Sequence, residues 1–507
     1  MPSRSFFMQS KEKYDAVDFS PHAKLPRLDK HVNCMATTWG CFIPYNIFGY
    51  FLLYFYTDTV GISPGMAGSI ILFARVFDVI TDLTIGYFID RWNLKPGKYR
   101  FWVLLSILPQ FIVFILVFTF IPNAPMSFSI IFAWVTYGCY GALCATLGYI
   151  PQNCQTINMT NNVDERASAA SLKGLYENLA ILIAAALYLP VVRLIAGSSG
   201  NMSRGYFFGT IIFSALAMAP VLLTCRLTKK YELNYDGTYR AHLLVQAQKE
   251  TLPLATQLKN LCTNRPAMIT TFGAVLMYAL QVVRSGMTVY LYDYYFQLPE
   301  MTSIGLFFNC GLAMLGALAV PRIIKIFKDS NRAFTFMAVF HAAMYILFYV
   351  LVSTSSYEAV TASMRFGPMF FLYSICGLFQ GMYYVFPMVV MPSAIDYGIW
   401  KTGRNQSGFI YAIYGAMLTL GGAVGSFVNG QLLERTGYIP GVAQSDSTLK
   451  ALLIVGVLLP AILSISHGVL QAFSGITDKK REQWVREIGE REAAEKAALQ
   501  YAKNSEA

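Results

Sequence analysis

Twelve stretches of this chain are each apolar over about 20 residues, the length needed to cross the hydrocarbon core of a bilayer. Six lie near residues 33–57, 66–90, 101–121, 127–151, 168–196 and 204–225. Six more lie near 267–296, 302–323, 332–353, 364–392, 407–433 and 450–475. A backbone in lipid has to satisfy its own hydrogen bonds, so runs of this length predict helices. The expected fold class is therefore an all-α membrane protein with 12 transmembrane helices. The fifth run is the least apolar, carrying Lys173 and Glu177, and the tenth is interrupted by Pro387 and Pro392. One long polar connection, Leu227 to Pro266, divides the runs into two sets of six. The expected organisation is a 1–32 N-terminal segment, a 33–226 half, a 227–266 middle loop, a 267–476 half and a 477–507 tail.

Charge is scarce and unevenly placed. Charged residues make up 13% of the 507 residues and hydrophobic ones 55%, against roughly 25% charged in an average soluble domain. The formal net charge is +11, which could suggest a nucleic-acid partner. Its placement argues otherwise, since no patch interleaves basic and aromatic residues. Arg91, Lys95, Lys98 and Arg100 crowd the second–third connection, and Arg322, Lys325, Lys328 and Arg332 crowd the eighth–ninth. The first–second, third–fourth and seventh–eighth connections carry neither Lys nor Arg. By the positive-inside rule both termini are expected in the cytoplasm. The two basic clusters occupy equivalent places in the two halves, the mark of a parallel repeat. Residues 1–30 are polar and of mixed charge, so no cleavable signal is expected. The nine cysteines show no CxxC or metal spacing and are expected to be reduced packing residues. The tail from Asp478 to Ala507 is charged and periodic, and is expected to be a solvated cytoplasmic helix.

Twelve spans in two parallel halves around a long loop suggest a major-facilitator-type transporter. The second run, "LFARVFDVITDLTIGYFIDRW" (Leu72–Trp92), then raises a chemical question, because Arg75, Asp78 and Asp82 lie inside it. Residues three and four apart share a helix face, and an ionised group at mid-bilayer costs several kcal/mol unless it faces a cavity or a partner. An Arg75–Asp78 salt bridge would account for one acid and leave Asp82 unmatched. Two carboxylates with neutral oxygens, for which Thr81 and Thr146 are candidates, would instead suit a small hard cation or a proton.

The run from Tyr56 to Arg100, "YTDTVGISPGMAGSIILFARVFDVITDLTIGYFIDRWNLKPGKYR", resembles the glycoside–pentoside–hexuronide:cation symporters. Further matches are "IPQ" at Ile150–Gln152, "NRP" at Asn264–Pro266, "DYGIWKTG" at Asp396–Gly403, "GYIP" at Gly437–Pro440 and "TDKK" at Thr477–Lys480. The resemblance covers nearly the whole chain from about Leu28. It implies a major-facilitator bundle that couples sugar uptake to Na⁺, Li⁺ or H⁺ and needs no other cofactor. It further implies that Asp78 and Asp82 form the cation site, with Arg75 before them and Thr146 on helix four. Tyr384 on helix ten matches a sugar-facing aromatic residue, and Lys173 lies within one residue of a helix-five arginine.

The sequence also departs from the family. Acids that grip sugar hydroxyls on helices one and four are replaced by Phe42 and Tyr149, and a helix-eleven lysine near the cation site becomes Thr419. The remaining candidate substrate-binding residues, Arg75, Tyr149, Lys173, Arg284 and Tyr384, are basic or aromatic. Arg284 sits mid-helix in "YALQVVRSGMTVYLYDYYF". It would either pair with an acid such as Asp293 or Glu177 or meet a carboxylate of the substrate. Lys173 would either pair with Glu177 four residues on or do likewise. These groups point to an anionic sugar, such as a uronide or acidic oligosaccharide, with Tyr149, Tyr384 and Trp39 as stacking faces. His341 is expected to be a packing histidine, and "LGGAVGSFVNG" (Leu420–Gly430) a site of close helix packing. Asp90 in "DRWNLKPGKYR" resembles a latch residue of the superfamily's gating loop.

Secondary active symport by alternating access is the leading expectation, with the sugar, the coupling cation and the bilayer as partners of a monomer. Transport of a lysophospholipid or another amphiphile is the alternative, as some related eukaryotic members move such lipids. An enzyme is not expected, because no nucleophile–base constellation is visible. A sensor would need a larger appended domain than the tail offers. The resemblance suggests a bacterial inner membrane.

Overall fold

In the computed structural model, the described residues are 17–505 except 21, 92–96, 161, 199, 235, 237, 239–252 and 405. Eleven helices among them are long and apolar enough to cross a membrane. The second to sixth spans are Pro64–Arg91, Arg100–Val117, Met126–Asn158, Val163–Ala196 and Met202–Leu227. The seventh to twelfth are Arg265–Tyr295, Met301–Phe327, Ser330–Thr354, Pro368–Thr402, Ser407–Arg435 and Asp446–Ala472. The first expected span is also helical but interrupted: Arg27–Ile47 is followed by π-helical turns at Phe48–Leu52 and Phe55–Val60. Pro44 removes a backbone donor just before the change of winding. Asn33, Thr37 and Thr38 make this helix the most polar of the set, and all three are buried. The Thr37 and Thr38 hydroxyls donate to carbonyls of their own helix, Asn33 O at 2.8 Å and Cys34 O at 2.9 Å, while the Asn33 side chain bonds Thr224 and Thr156 on other spans. Gly61, at φ 82, ends the segment in a conformation that a Cβ would strain.

Local chemistry explains where other spans begin. The Asn162 side chain accepts from Asp164 N and Glu165 N, and those two acids lie at the positive end of the helix dipole. The "NRP" match is likewise a cap: Asn264 accepts from Ala267 N at 3.0 Å, with Pro266 in the first turn. The tenth span runs ten residues beyond the expected end, from 392 to Thr402. Prolines are tolerated in membrane helices when neighbours re-satisfy the freed carbonyls, so Pro387 and Pro392 do not stop it.

Contacts divide the chain into two compact units. The first comprises 1–250, 302–307 and 426–444; the second comprises 251–301, 308–425 and 445–507. The core of the first is aromatic. Phe48 packs edge-on to Phe114 at 5.4 Å, and Phe118 stacks on Tyr206 at 5.8 Å. In the second, small residues bring backbones together: a Cβ at Gly377 would lie 2.3 Å from Asn309 O, and one at Gly381 1.9 Å from Ala313 O. The glycine-rich Leu420–Gly430 stretch also packs closely, since a Cβ at Gly421 would meet Val275 O at 2.5 Å. None of the nine cysteines is joined in a disulfide.

The tail forms a helix, Asp478–Ser505, but one face of it is docked instead of solvated. Trp484 is 8% exposed and packs on Tyr397 at 5.0 Å. Arg481 Nε donates to Asp396 at 2.9 Å, Trp400 Nε1 donates to Glu487, and Arg491 donates to Trp400 O. Asp396, Tyr397 and Trp400 belong to "DYGIWKTG", so this motif serves as the docking strip. In the second–third connection the Asp90 side chain and residues 92–96 lie outside the described residues, so the expected latch is not described. The connection is nonetheless anchored: Glu232 accepts from Tyr99 N and Arg100 N at 3.1 Å each, and from Gln155 Nε2 at 2.8 Å.

Candidate functional site

The second span carries Arg75 and Asp78 on one face, as their spacing requires. Asp78 is 8% exposed, and its Oδ2 lies 3.4 Å from Arg75 Nη1. The guanidinium is held on two more sides. Arg75 Nε donates to Tyr137 OH at 2.8 Å, and Arg75 Cζ stands 4.3 Å above the Tyr45 ring. Three spans thus converge on this pair: the first through Tyr45, the second, and the fourth through Tyr137.

The fourth span supplies the neutral oxygens because its winding changes at this level. Between Met126–Cys139 and Thr146–Asn158 it runs as a π helix, Tyr140–Ala145. Such turns often mark functional positions, since they shift the register of the next turns of the helix. Gly141 lies so close that an added Cβ would stand 3.4 Å from Asp78 Cγ. The Thr146 hydroxyl lies beside Asp78 and donates to Gly141 O at 3.2 Å. With its proton given to that carbonyl, its oxygen lone pairs remain available.

The remaining expected cation ligands are placed less fully. Asp82 continues the same helix one turn on, but its side chain lies outside the described residues. Thr81 is half-buried and donates to its own helix, to Asp78 O at 2.9 Å and Phe77 O at 3.2 Å. Among the described residues no group of three or more His, Cys, Asp or Glu could hold a metal ion.

A second constellation lies on the first, fourth and fifth spans of the same unit. Lys173 Nζ donates to Asn153 Oδ1 at 3.0 Å, not to Glu177, and no acid lies within salt-bridge distance among the described residues. Tyr149 is 41% exposed, its ring 6.2 Å from that of Phe42. Trp39 packs edge-on to Tyr176 at 6.5 Å.

The second unit carries two more expected substrate residues. Tyr384 is half-buried, with its ring 6.4 Å from Tyr278. Arg284 is only 2% exposed, and its Nη1 donates to Asn309 Oδ1 at 2.7 Å. Tyr345, Tyr373 and His341 surround its charge. This setting suits helix cohesion more than solute contact. His341 is fully buried, bonds Ser464 at 3.0 Å and stacks on Tyr383, as expected of a packing histidine. Thr419 donates to Gly415 O at 3.3 Å within its own helix.

Sequence reasoning missed Tyr45, Tyr137, Asn153 and Glu232. A tyrosine in an apolar run reads as packing, and only tertiary contact turns it towards Arg75. Asn153 carried a weak signal, following directly on "IPQ" in the polar stretch of the fourth span.

The helices are those of a multi-pass membrane protein, and comparison with known proteins gives its class. The sequence profile of the family described as MFS/sugar transport protein matches residues 36–478, and the chain belongs to that family. The putative sulfoquinovose importer of Escherichia coli is 28% identical over 462 residues, covering 88% of this chain and 90% of its own. The isoprimeverose transporter of Lactiplantibacillus pentosus is 25% identical over 427 residues, 84% of each chain. The glucuronide carrier protein homolog of E. coli is 25% identical over 455 residues, 89% of this chain and 93% of its own. Among solved structures, a D-xylose-proton symporter superposes with a TM-score of 0.58 at 13% identity, over 87% of this chain and 96% of that one. The protein is thus a multi-pass membrane transporter of the major facilitator type, not an enzyme.

Proposed function

We propose that the chain imports a sugar or glycoside in symport with Na⁺ or H⁺ across a bacterial inner membrane, by alternating access. One observation carries this reading: the Asp78 carboxylate, buried in a spanning helix and paired with the Arg75 guanidinium, with the Thr146 hydroxyl beside it. A permanent ion pair would stabilise the helix and do nothing else. Here the carboxylate is gripped by a single guanidinium contact at 3.4 Å, while Arg75 has Tyr137 and Tyr45 to fall back on. A cation arriving at Asp78 can therefore displace Arg75 without leaving it bare.

Coupling requires that cation and solute strengthen each other's binding, a reciprocal linkage. Thr146 and Tyr149 stand three residues apart on the fourth span, so an adjustment of Thr146 towards the cation is felt at Tyr149 within one turn. Tyr149 with Phe42 and Trp39 offers apolar ring faces, and Lys173 with Asn153 offers a cation and an amide. That combination suits a sugar carrying an acidic group. The names of two relatives, a putative sulfoquinovose importer and a glucuronide carrier homolog, support the same class. The test is uptake by membrane vesicles of neutral glycosides, uronides and sulfonated sugars under imposed Na⁺ or proton gradients. Accumulation of an acidic sugar under one gradient and not without it supports the proposal; equal entry with and without any gradient contradicts it.

A further inference from the structure

Glu177 is an acidic side chain of the spanning region, outside the residues expected at the ion site. It lies on the fifth span, four residues after Lys173 and so on the same helix face. It is half-buried, and among the described residues no cation stands within salt-bridge distance of its carboxylate. The pair expected from the spacing does not form, because Lys173 turns to Asn153 on the fourth span. A carboxylate in a membrane helix with neither partner nor cavity would cost several kcal/mol. The cost is avoided if the group lines a watered face and meets a polar solute there. Its neighbourhood fits that role: Lys173, one turn back on the same helix, reaches Asn153 of the fourth span, and the preceding residue, Tyr176, packs edge-on to Trp39 of the first.

We infer that Glu177 is the residue that accepts hydrogen bonds from the sugar's hydroxyls, setting specificity beside Lys173, which takes the acidic group. This inference rests on the sugar-transport reading above and deepens it. A separation of four residues is about 6 Å along a helix, close to the span of one pyranose ring. The acid end of the solute then meets Lys173 while hydroxyls across the ring meet Glu177. A carboxylate accepts from two vicinal hydroxyls at once, and such charge-assisted bonds are the strong ones. The same carboxylate repels a second negative charge on the ring, so the arrangement selects sugars with a single acidic group.

The experiment is sugar counterflow in proteoliposomes, which reads solute binding and exchange without a driving gradient. The probes are methyl β-glucuronide, its monodeoxy analogues and methyl β-glucoside. Glu177→Gln is expected to raise the half-saturation concentration for the glucuronide about tenfold, the loss of a charge-assisted hydrogen bond. At least one deoxy analogue should be taken equally poorly by wild type and by that variant, since both lack the same bond. Glu177→Asp should recover part of the affinity, and Lys173→Gln should abolish preference for the glucuronide over the glucoside. A half-saturation within twofold of wild type in Glu177→Gln overturns the inference. So does a variant that keeps its affinity and loses only thermal stability or the pH dependence of accumulation. If wild type exchanges none of the probes while accumulating a lipid, the sugar reading itself fails.

Discussion

Two charged residues decide most of the chemistry here. Arg75 and Asp78 neutralise each other in the absence of a coupling ion, so removing the guanidinium exposes an uncompensated carboxylate. Arg75→Gln is expected to lower the stability of the ion-free protein by about 3 kcal/mol, the usual penalty for breaking a buried pair. Added coupling ion should restore most of that loss in a thermal-unfolding scan, and should restore it more than in wild type. Glu232 makes a different residue-scale prediction. Burial pushes its carboxyl above the ordinary carboxylate range, while donors from Gln155, Arg100 and Tyr99 pull the other way. A raised value means that the folded state holds the proton longer than the unfolded one. The proton therefore stabilises the fold, and this contribution fades as pH rises from the ordinary carboxylate range to the raised value. Glu232→Gln should flatten that part of the pH profile of the melting temperature.

Elements are legible in the sequence where hydropathy alone builds them. Eleven spans need only long apolar windows, and their ends follow from caps such as Asn162 and Asn264. The first span is visible by counting apolar residues, but its π turns and that of the fourth span are not, because Phe48–Leu52 and Tyr140–Ala145 carry no composition of their own. The short helix Tyr357–Met364 before the tenth span also escapes the sequence, being only 8 residues long. The pairing of Arg75 with Asp78 can be read from their spacing. The Tyr137 and Tyr45 contacts cannot, because they depend on how three helices pack. Lys173 and Glu177 show the limit of spacing rules: the i,i+4 pair is sterically open on one helix, yet Asn153 from another wins the lysine. The tail differs for a similar reason. Its charge suggests a solvated helix, but Trp484 on the strip Tyr397–Trp400, with Arg481 on Asp396, docks it. Trp484→Ala should lower the stability of the purified protein by about 3 kcal/mol in a thermal scan. An unchanged midpoint would mean the tail contributes nothing to the fold.

At the scale of the whole molecule, the proposal is a transporter with both termini in the cytoplasm that uses an ion gradient to accumulate a solute. Orientation follows from Lys and Arg placement, and Cys262 tests it, because it is exposed in the helix Leu254–Thr263 of the middle connection. In a chain whose other cysteines are replaced by serine, an impermeant maleimide should label Cys262 in inside-out vesicles and not in right-side-out ones. The central idea is that a spanning helix keeps a buried carboxylate because an ion from outside uses it. The most direct measurement compares gradient-driven accumulation with counterflow in the double variant Asp78→Asn, Asp82→Asn. We expect accumulation to vanish while exchange of sugar persists, since binding of the solute outlives the coupling. Accumulation at the wild-type level would contradict this idea and return Arg75 and Asp78 to the role of a structural pair.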